Sequence, residues 1–156
     1  MAFGAPSVKG RALRWLAQRE HSRAELERKL ARVVEDSETA SAAEQIRQAL
    51  DELTARGFLS DRRTADSVLS GQGARYGARR LKQTLQSKGL DADLVAATLE
   101  RARATELERA LEVWRRKFGQ APQDAAERAR QMRFLAARGF EGDVIRRVVK
   151  GGADDD

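Results

Sequence analysis

The sequence predicts an all-α protein of three tandem three-helix units forming an elongated, gently curved array, and three observations carry that reading. A helix ending recurs three times, as Leu53-Thr54-Ala55-Arg56-Gly57-Phe58, Leu85-Gln86-Ser87-Lys88-Gly89-Leu90 and Leu135-Ala136-Ala137-Arg138-Gly139-Phe140. In it a glycine can turn left-handed after the helix, the preceding cation meets the negative end of the dipole, and the following apolar residue can fold back onto the leucine. Four starts place a capping oxygen three residues before a glutamate: Ser22 and Glu25, Ser41 and Glu44, Thr105 and Glu108, Asp124 and Glu127. The composition is that of amphipathic helices, with 41% apolar, 5% aromatic and 35% charged residues and only two prolines, Pro6 and Pro122. No alternating run long enough for a convincing strand interrupts it.

Nine helices follow in order. The first, 7–18, carries Leu13 and Leu16; the second, 23–33, opens at Ser22 and carries Leu26, Leu30 and Val33; the third, 42–56, opens at Ser41, carries Ile46, Leu50 and Leu53, and stops at Gly57. The segment from Val34 to Ala40, with Glu35, Asp36 and Glu38 and no apolar spacing, is a solvated loop. The fourth helix, 61–73, carries Val68 and Leu69, and is either short or bent, because Gly71 and Gly73 would each cost a helix interior about 1 kcal/mol relative to alanine. The fifth, 77–88, carries Leu81 and Leu85 up to the stop at Gly89, and the sixth, 92–103, carries Leu94, Val95 and Leu99. The seventh, 106–118, opens at Thr105 and carries Leu107, Leu111, Trp114 and Phe118; the eighth, 124–138, opens at Asp124 and stops at Gly139; the ninth, 142–150, carries Val144, Ile145 and Val148.

These group as units 7–57, 58–104 and 105–150. The stretch Gly89-Leu90-Asp91-Ala92-Asp93-Leu94-Val95 reappears 50 residues on as Gly139-Phe140-Glu141-Gly142-Asp143-Val144-Ile145, which marks an internal repeat. A unit of this size is marginal alone, so neighbours should share an interface, with Phe58 and Leu59 expected at the seam between the first two.

The totals exclude several classes of function. There is no cysteine, hence no disulfide framework or thiolate metal site, and a single histidine, His21, stands in a turn position before Ser22. Nothing approaches the roughly 20 apolar residues of a membrane span, which leads us to expect a cytoplasmic protein. No glycine-rich phosphate loop, dinucleotide turn or paired-histidine metal helix occurs, and the carboxylate pairs read as helix-surface charge. Neither an enzyme nor a cofactor is expected.

Charge is more informative. The chain carries 30 basic and 24 acidic residues, a net +6, and residues 61–104 hold nine cations against five acids. Such a surface attracts phosphate or an acidic protein in a salt-sensitive way, although simple solvation of the cations accounts for it too. The most suggestive stretch is Arg75-Tyr76-Gly77-Ala78-Arg79-Arg80-Leu81-Lys82, where glycine at a helix start would let an anion approach free backbone N–H groups amid Arg75, Arg79, Arg80 and Lys82. A second cluster, Arg115-Arg116-Lys117, follows Trp114, and a third, Arg146, Arg147 and Lys150, lies on the last helix, where it also offsets the dipole. No helix-turn-helix that would aim a recognition helix at bases stands out. Backbone or protein contact therefore fits better than sequence reading.

The order Ala12-Leu13-Arg14-Trp15-Leu16-Ala17-Gln18-Arg19-Glu20-His21-Ser22-Arg23-Ala24-Glu25-Leu26-Glu27-Arg28-Lys29-Leu30, then Leu53-x-x-Arg56-Gly57-Phe58-Leu59-Ser60-Asp61, then Gly77-x-x-Arg80-Leu81-x-x-x-Leu85-x-x-Lys88-Gly89-Leu90, then Arg133-Phe134-Leu135-x-x-Arg138-Gly139-Phe140, resembles the RecX family of recombinase regulators over nearly the whole chain. The resemblance implies three tandem three-helix units. It also implies a regulator without an active site that binds RecA-type recombinase filaments on single-stranded DNA. Such a regulator restrains filament growth, ATP hydrolysis, strand exchange and the co-protease role in the SOS response. On that reading Arg75, Arg79, Arg80 and Lys82, with Arg115, Arg116 and Lys117 as a weaker second contact, meet recombinase acids or DNA phosphate, and the protein acts as a monomer. The rivals are a nonspecific DNA-binding helical protein that competes for the strand, a helical adaptor for an unrelated acidic protein, and a transcription factor.

Overall fold

The structure is a computed structural model that describes residues 6–151. Among them it contains nine helices and no strand: α1 (Val8–Gln18), α2 (Arg23–Ala31), α3 (Ala42–Ala55), α4 (Asp61–Gln72), α5 (Ala78–Ser87), α6 (Ala92–Ala104), α7 (Glu106–Lys117), α8 (Ala125–Ala137) and α9 (Gly142–Gly151). Every expected helix is present, with ends within about two residues of those read from caps and stops. The fourth is short: it ends at Gln72, one residue before Gly73.

The chain divides into two compact units, one reaching to Ala65 and including Lys88–Leu90, the other comprising Asp66–Ser87 and the chain from Asp91 onward. In the first, α1, α2 and α3 close over Ala12, Leu26, Leu30, Ile46, Leu50, Leu53 and Leu59, with Leu13, Trp15 and Leu16 half-buried at the edge. Leu59 thus belongs to this core. Its neighbour Phe58 is 52% exposed, so the expectation that both occupy a covered seam fails for Phe58, and Val33, assigned to the core by spacing, is 43% exposed because α2 ends at Ala31 and leaves it in a turn.

A polar lattice fastens this unit. Ser22 Oγ accepts from Glu25 N and Glu25 Oε1 accepts from Ser22 N, which completes the capping box at α2. The same carboxylate takes Arg19 at 2.8 Å and Lys88 at 3.2 Å, and Asp61 Oδ1 accepts from Arg23 N at 2.8 Å. Burial raises the Glu25 carboxyl, but its bonds to Arg19, Ser22 and Lys88 outweigh that and bring it down to about 2. His21 is fully buried: Lys29 Nζ donates to its Nε2 at 2.7 Å, so Nδ1 carries the proton and donates to the Arg19 carbonyl. Burial, reinforced by the charges of Arg19 and Lys29, holds the imidazole below its ordinary value of 6.5.

The second unit has a core of Ala110, Trp114, Leu135, Phe140, Ile145, Val148 and Val149. Trp114 Nε1 donates to the buried Gln131 Oε1 at 2.8 Å, and Gln131 Nε2 donates to the Gln120 carbonyl. Val68, Leu81, Leu85, Val95 and Leu99 are buried as their spacing predicts. The three recurring stops have left-handed glycines, Gly57, Gly89 and Gly139, and Gly119 is a fourth. At Gly139 the paired bonds of Gly139 N to Ala136 O and Phe140 N to Leu135 O lock α8 shut, with Phe140 buried on the leucine as foreseen.

Two outcomes follow. A side chain at Gly139 would place Cβ 2.5 Å from Arg80 Cβ, whereas one at Gly57 meets nothing within 4 Å. Gly57→Ala should therefore cost only the left-handed penalty of about 1–2 kcal/mol, and Gly139→Ala clearly more, in urea unfolding. For His21, the unfolded chain takes up a proton near pH 6.5 and the folded chain only at lower pH, so stability is present above 6.5 and lost as pH falls through the folded value. The loss from Glu25 lies below its ordinary 4.5. A thermal-unfolding series between about pH 5 and 7.5 should slope downward on acidification, and His21→Gln should flatten it.

Candidate interaction surface

The site is built on α7. Glu106 opens that helix and is almost completely buried, yet its carboxylate does not cap its own helix. Oε1 accepts from Ala78 N and from Glu141 N, both at 3.2 Å, and so serves the starts of α5 and α9 together. Thr105, expected to cap α7 through its hydroxyl, makes no capping bond, because that hydroxyl points to Ala102 O and receives Arg109 Nε. One turn on, Arg109 Nη1 donates to Gly73 O and Tyr76 O, and Nη2 to Ala102 O, each at 2.6 Å. Burial lowers its guanidinium and the nearby Glu106 raises it; three carbonyls and the carboxylate compensate its desolvation. The α4–α5 turn is thereby pinned to α7.

That turn corrects one expectation. Gly77 N donates to Arg138 O, Ala78 N to Glu106 and Arg79 N to Gly139 O, so the N–H groups at the start of α5 are already satisfied. Gly77 is buried, and a Cβ there would lie 2.5 Å from Gly139 O and Phe140 Cα. The glycine admits the chain's own backbone. It does not expose a helix terminus to an anion.

All seven cations singled out in the sequence, Arg75, Arg79, Arg80, Lys82, Arg115, Arg116 and Lys117, are exposed. They do not act as two sequence-local clusters. Arg75 and Arg80 converge with Arg138 on the ring of Tyr76, their guanidinium carbons 5.7, 4.4 and 5.6 Å from its centroid. Arg138 also lies 5.1 Å from the Phe134 ring, which Lys117 Nζ approaches to 5.3 Å, and Phe118 meets Phe134 edge-on at 5.4 Å. A groove of about 480 Å³ therefore joins Arg75 to Arg116, Lys117 and Arg138, with Ala74, Val113 and Phe134 as apolar lining and Glu108 and Glu112 in its wall. Arg79 and Lys82 line a different hollow of about 320 Å³ with Arg103, Gln83, Gln86 and Glu141, and Arg115 lines neither.

Of the eight cations, including Arg138, only Arg116 is ion-paired with a described residue, with Glu112 at 3.1 Å on an open surface where such a pair is worth little. Arg75, Arg80 and Arg138 share a tyrosine without sharing an acid. Sequence reading passed over Arg138 because its place in a helix stop explained it, and over Glu106 and Arg109 because an acid and a base on an amphipathic helix resemble surface charge. No periodicity distinguishes these from solvated residues.

The described residues define an all-helical protein in which Arg75, Arg80 and Arg138 gather on one surface with no acid partner among those residues. Comparison with known proteins makes this particular. Residues 60–99 match the family description "RecX, second three-helix domain" and residues 104–149 match "RecX, third three-helix domain". The protein named Regulatory protein RecX in Leptothrix cholodnii is 53% identical over 152 residues, covering 96% of this chain and 93% of that protein. Its namesake in Chromobacterium violaceum is 47% identical over 156 residues, covering 100% of this chain and 97% of that protein. The crystal structure of RecX from Lactobacillus salivarius superimposes with a TM-score of 0.75 at 18% identity, covering 94% of each chain, and so shares the fold. The chain belongs to the RecX family of regulatory proteins.

If Arg109 pins the α4–α5 turn, Arg109→Lys, which keeps the charge but cannot reach three carbonyls, should cost about 2–4 kcal/mol in denaturant unfolding. It should also speed amide exchange through residues 73–78.

Proposed function

We propose that this chain is a cytoplasmic, monomeric regulator that binds RecA-type recombinase filaments on single-stranded DNA and has no catalytic site of its own. In this role it restrains their ATP hydrolysis, strand exchange and co-protease activity, and so modulates DNA repair and the SOS response. The observation that carries the reading is the set of exposed cations Arg75, Arg79, Arg80, Lys82, Arg115 and Lys117, none ion-paired among the described residues, in a chain whose relatives are named regulatory proteins. A filament presents repeated acidic and phosphate groups, and Arg and Lys with no acidic partner among the described residues bind them without first breaking an ion pair.

On this reading the three tandem three-helix units, divided as 7–57, 58–104 and 105–150, serve as contact modules for neighbouring protomers of such a filament. A ligand that contacts neighbouring protomers shifts a conformational equilibrium by its differential affinity for the states. Clasping neighbouring protomers in one arrangement slows the turnover that hydrolysis and strand exchange need. No described helix is long and apolar enough to cross a membrane, which is compatible with action in the cytoplasm.

The expected outcome is suppression of the DNA-dependent ATPase of the cell's own recombinase at substoichiometric amounts of this protein. Changing Arg79 and Arg80 together to alanine should weaken filament binding about tenfold and flatten its dependence on salt. Binding that is no tighter on coated than on bare strand would favour simple competition for DNA.

A further inference from the structure

We propose that the groove between the α4–α5 turn, α7 and α8 takes an acidic polypeptide segment that inserts an apolar side chain between Val113 and Phe134 while its carboxylates meet Arg75 and Arg138. This rests on the regulatory reading above and names the kind of surface that the groove grips.

Three features separate a polypeptide from a nucleic-acid strand here. The aromatic rings are already covered, since Tyr76 has three guanidiniums within 5.7 Å and Phe134 has Lys117 and Arg138 over it. Bases that stack on aromatic faces find none free. The lining of Ala74, Val113 and Phe134 rewards burial of an aliphatic or aromatic side chain, which a sugar–phosphate backbone does not bring. Glu108 and Glu112 stand in the wall, and Glu108 has no cation partner among the described residues. A continuous polyanion would run against them, whereas a peptide offers N–H groups as well as carboxylates and can satisfy both signs.

The guanidinium carbons of Arg75, Arg80 and Arg138 lie 4.4–5.7 Å from the Tyr76 and Phe134 ring centroids. A guanidinium held against a ring keeps N–H donors for a carboxylate, which it can engage bidentately. The hollow of Arg79, Lys82 and Arg103 has a polar lining of Gln83 and Gln86 instead. It provides a comparison on the same unit.

The test uses the full chain and three fluorescent probes: a synthetic peptide of glutamates flanking a single leucine, bare oligo(dT), and oligo(dT) coated with the cell's recombinase. Arg75→Ala with Arg138→Ala, and separately Val113→Asp, should weaken peptide binding about tenfold and leave bare oligo(dT) within about twofold. All three replacements lie at exposed or half-buried positions, and unchanged thermal unfolding of both variants will show that the fold persists. Equal losses on peptide and bare oligo(dT) would overturn the proposal in favour of phosphate, and unchanged peptide binding in both variants would overturn it outright. The coated strand reports on the regulatory reading separately. A wild-type chain that binds the peptide through this groove but ignores the recombinase coat keeps the site and sinks the assigned role.

Discussion

One turn of α7 decides where the cationic surface stands. Glu106 receives the first backbone N–H of α5 and the N–H that opens α9, while Arg109 gathers the carbonyls of Gly73, Tyr76 and Ala102. Glu106 would not be tolerated in this interior alone, because an unpaired buried charge costs several kcal/mol, and the half-buried Arg109 is partly desolvated as well. Together they are compensated. The carboxylate faces the positive ends of two helices, the guanidinium faces carbonyls at the ends of two others, and the pair lie one turn apart. Tyr76 is held by its own backbone carbonyl, and the three arginines that stack on it inherit their positions from that bond.

The consequence is a surface whose charge is not neutralised from within. Some cations of the chain find acids: Arg23 takes Glu27 and Asp51, Arg63 takes Glu20, and Arg101 takes Asp66. Around Tyr76 and Phe134 the rings alone hold the cations, and each such contact contributes only about 0.5–1 kcal/mol at an exposed site. Keeping like charges together with only Glu108 and Glu112 nearby is mildly unfavourable for the isolated fold, and it is a condition in which an incoming acid gains. The same closeness of backbones explains Gly77 and Gly139. They let the start of α5 and the end of α8 touch, which brings Arg80 and Arg138 onto one ring.

The elements themselves were legible because their signals are local. A serine or aspartate accepts from an N–H three residues on, and a left-handed glycine closes the turn it follows, whatever surrounds them. Ser22, Ser41 and Asp124 behave as read, and so do the stops at Gly57 and Gly139. Thr105 does not, since Glu106 and Arg109 draw the surrounding groups into longer-range bonds. Phe58 and Val33 fail for a related reason: helical spacing ranks residues by face, but whether a face continues past the last turn depends on what packs there.

Sequence alone determined the all-helical class, the nine helices and their ends, the apolar faces and the excess of positive charge, because each depends on residues within a turn or two of one another. Only the tertiary structure decided that Arg75 and Arg80 belong with Arg138 and Lys117 while Arg79 and Lys82 face another hollow. It alone assigned the glycine at 77 to the chain's own backbone. Those outcomes depend on contacts between segments far apart in the sequence, set by a buried glutamate and a half-buried arginine whose chemistry is indistinguishable, in one dimension, from that of a solvated helix face.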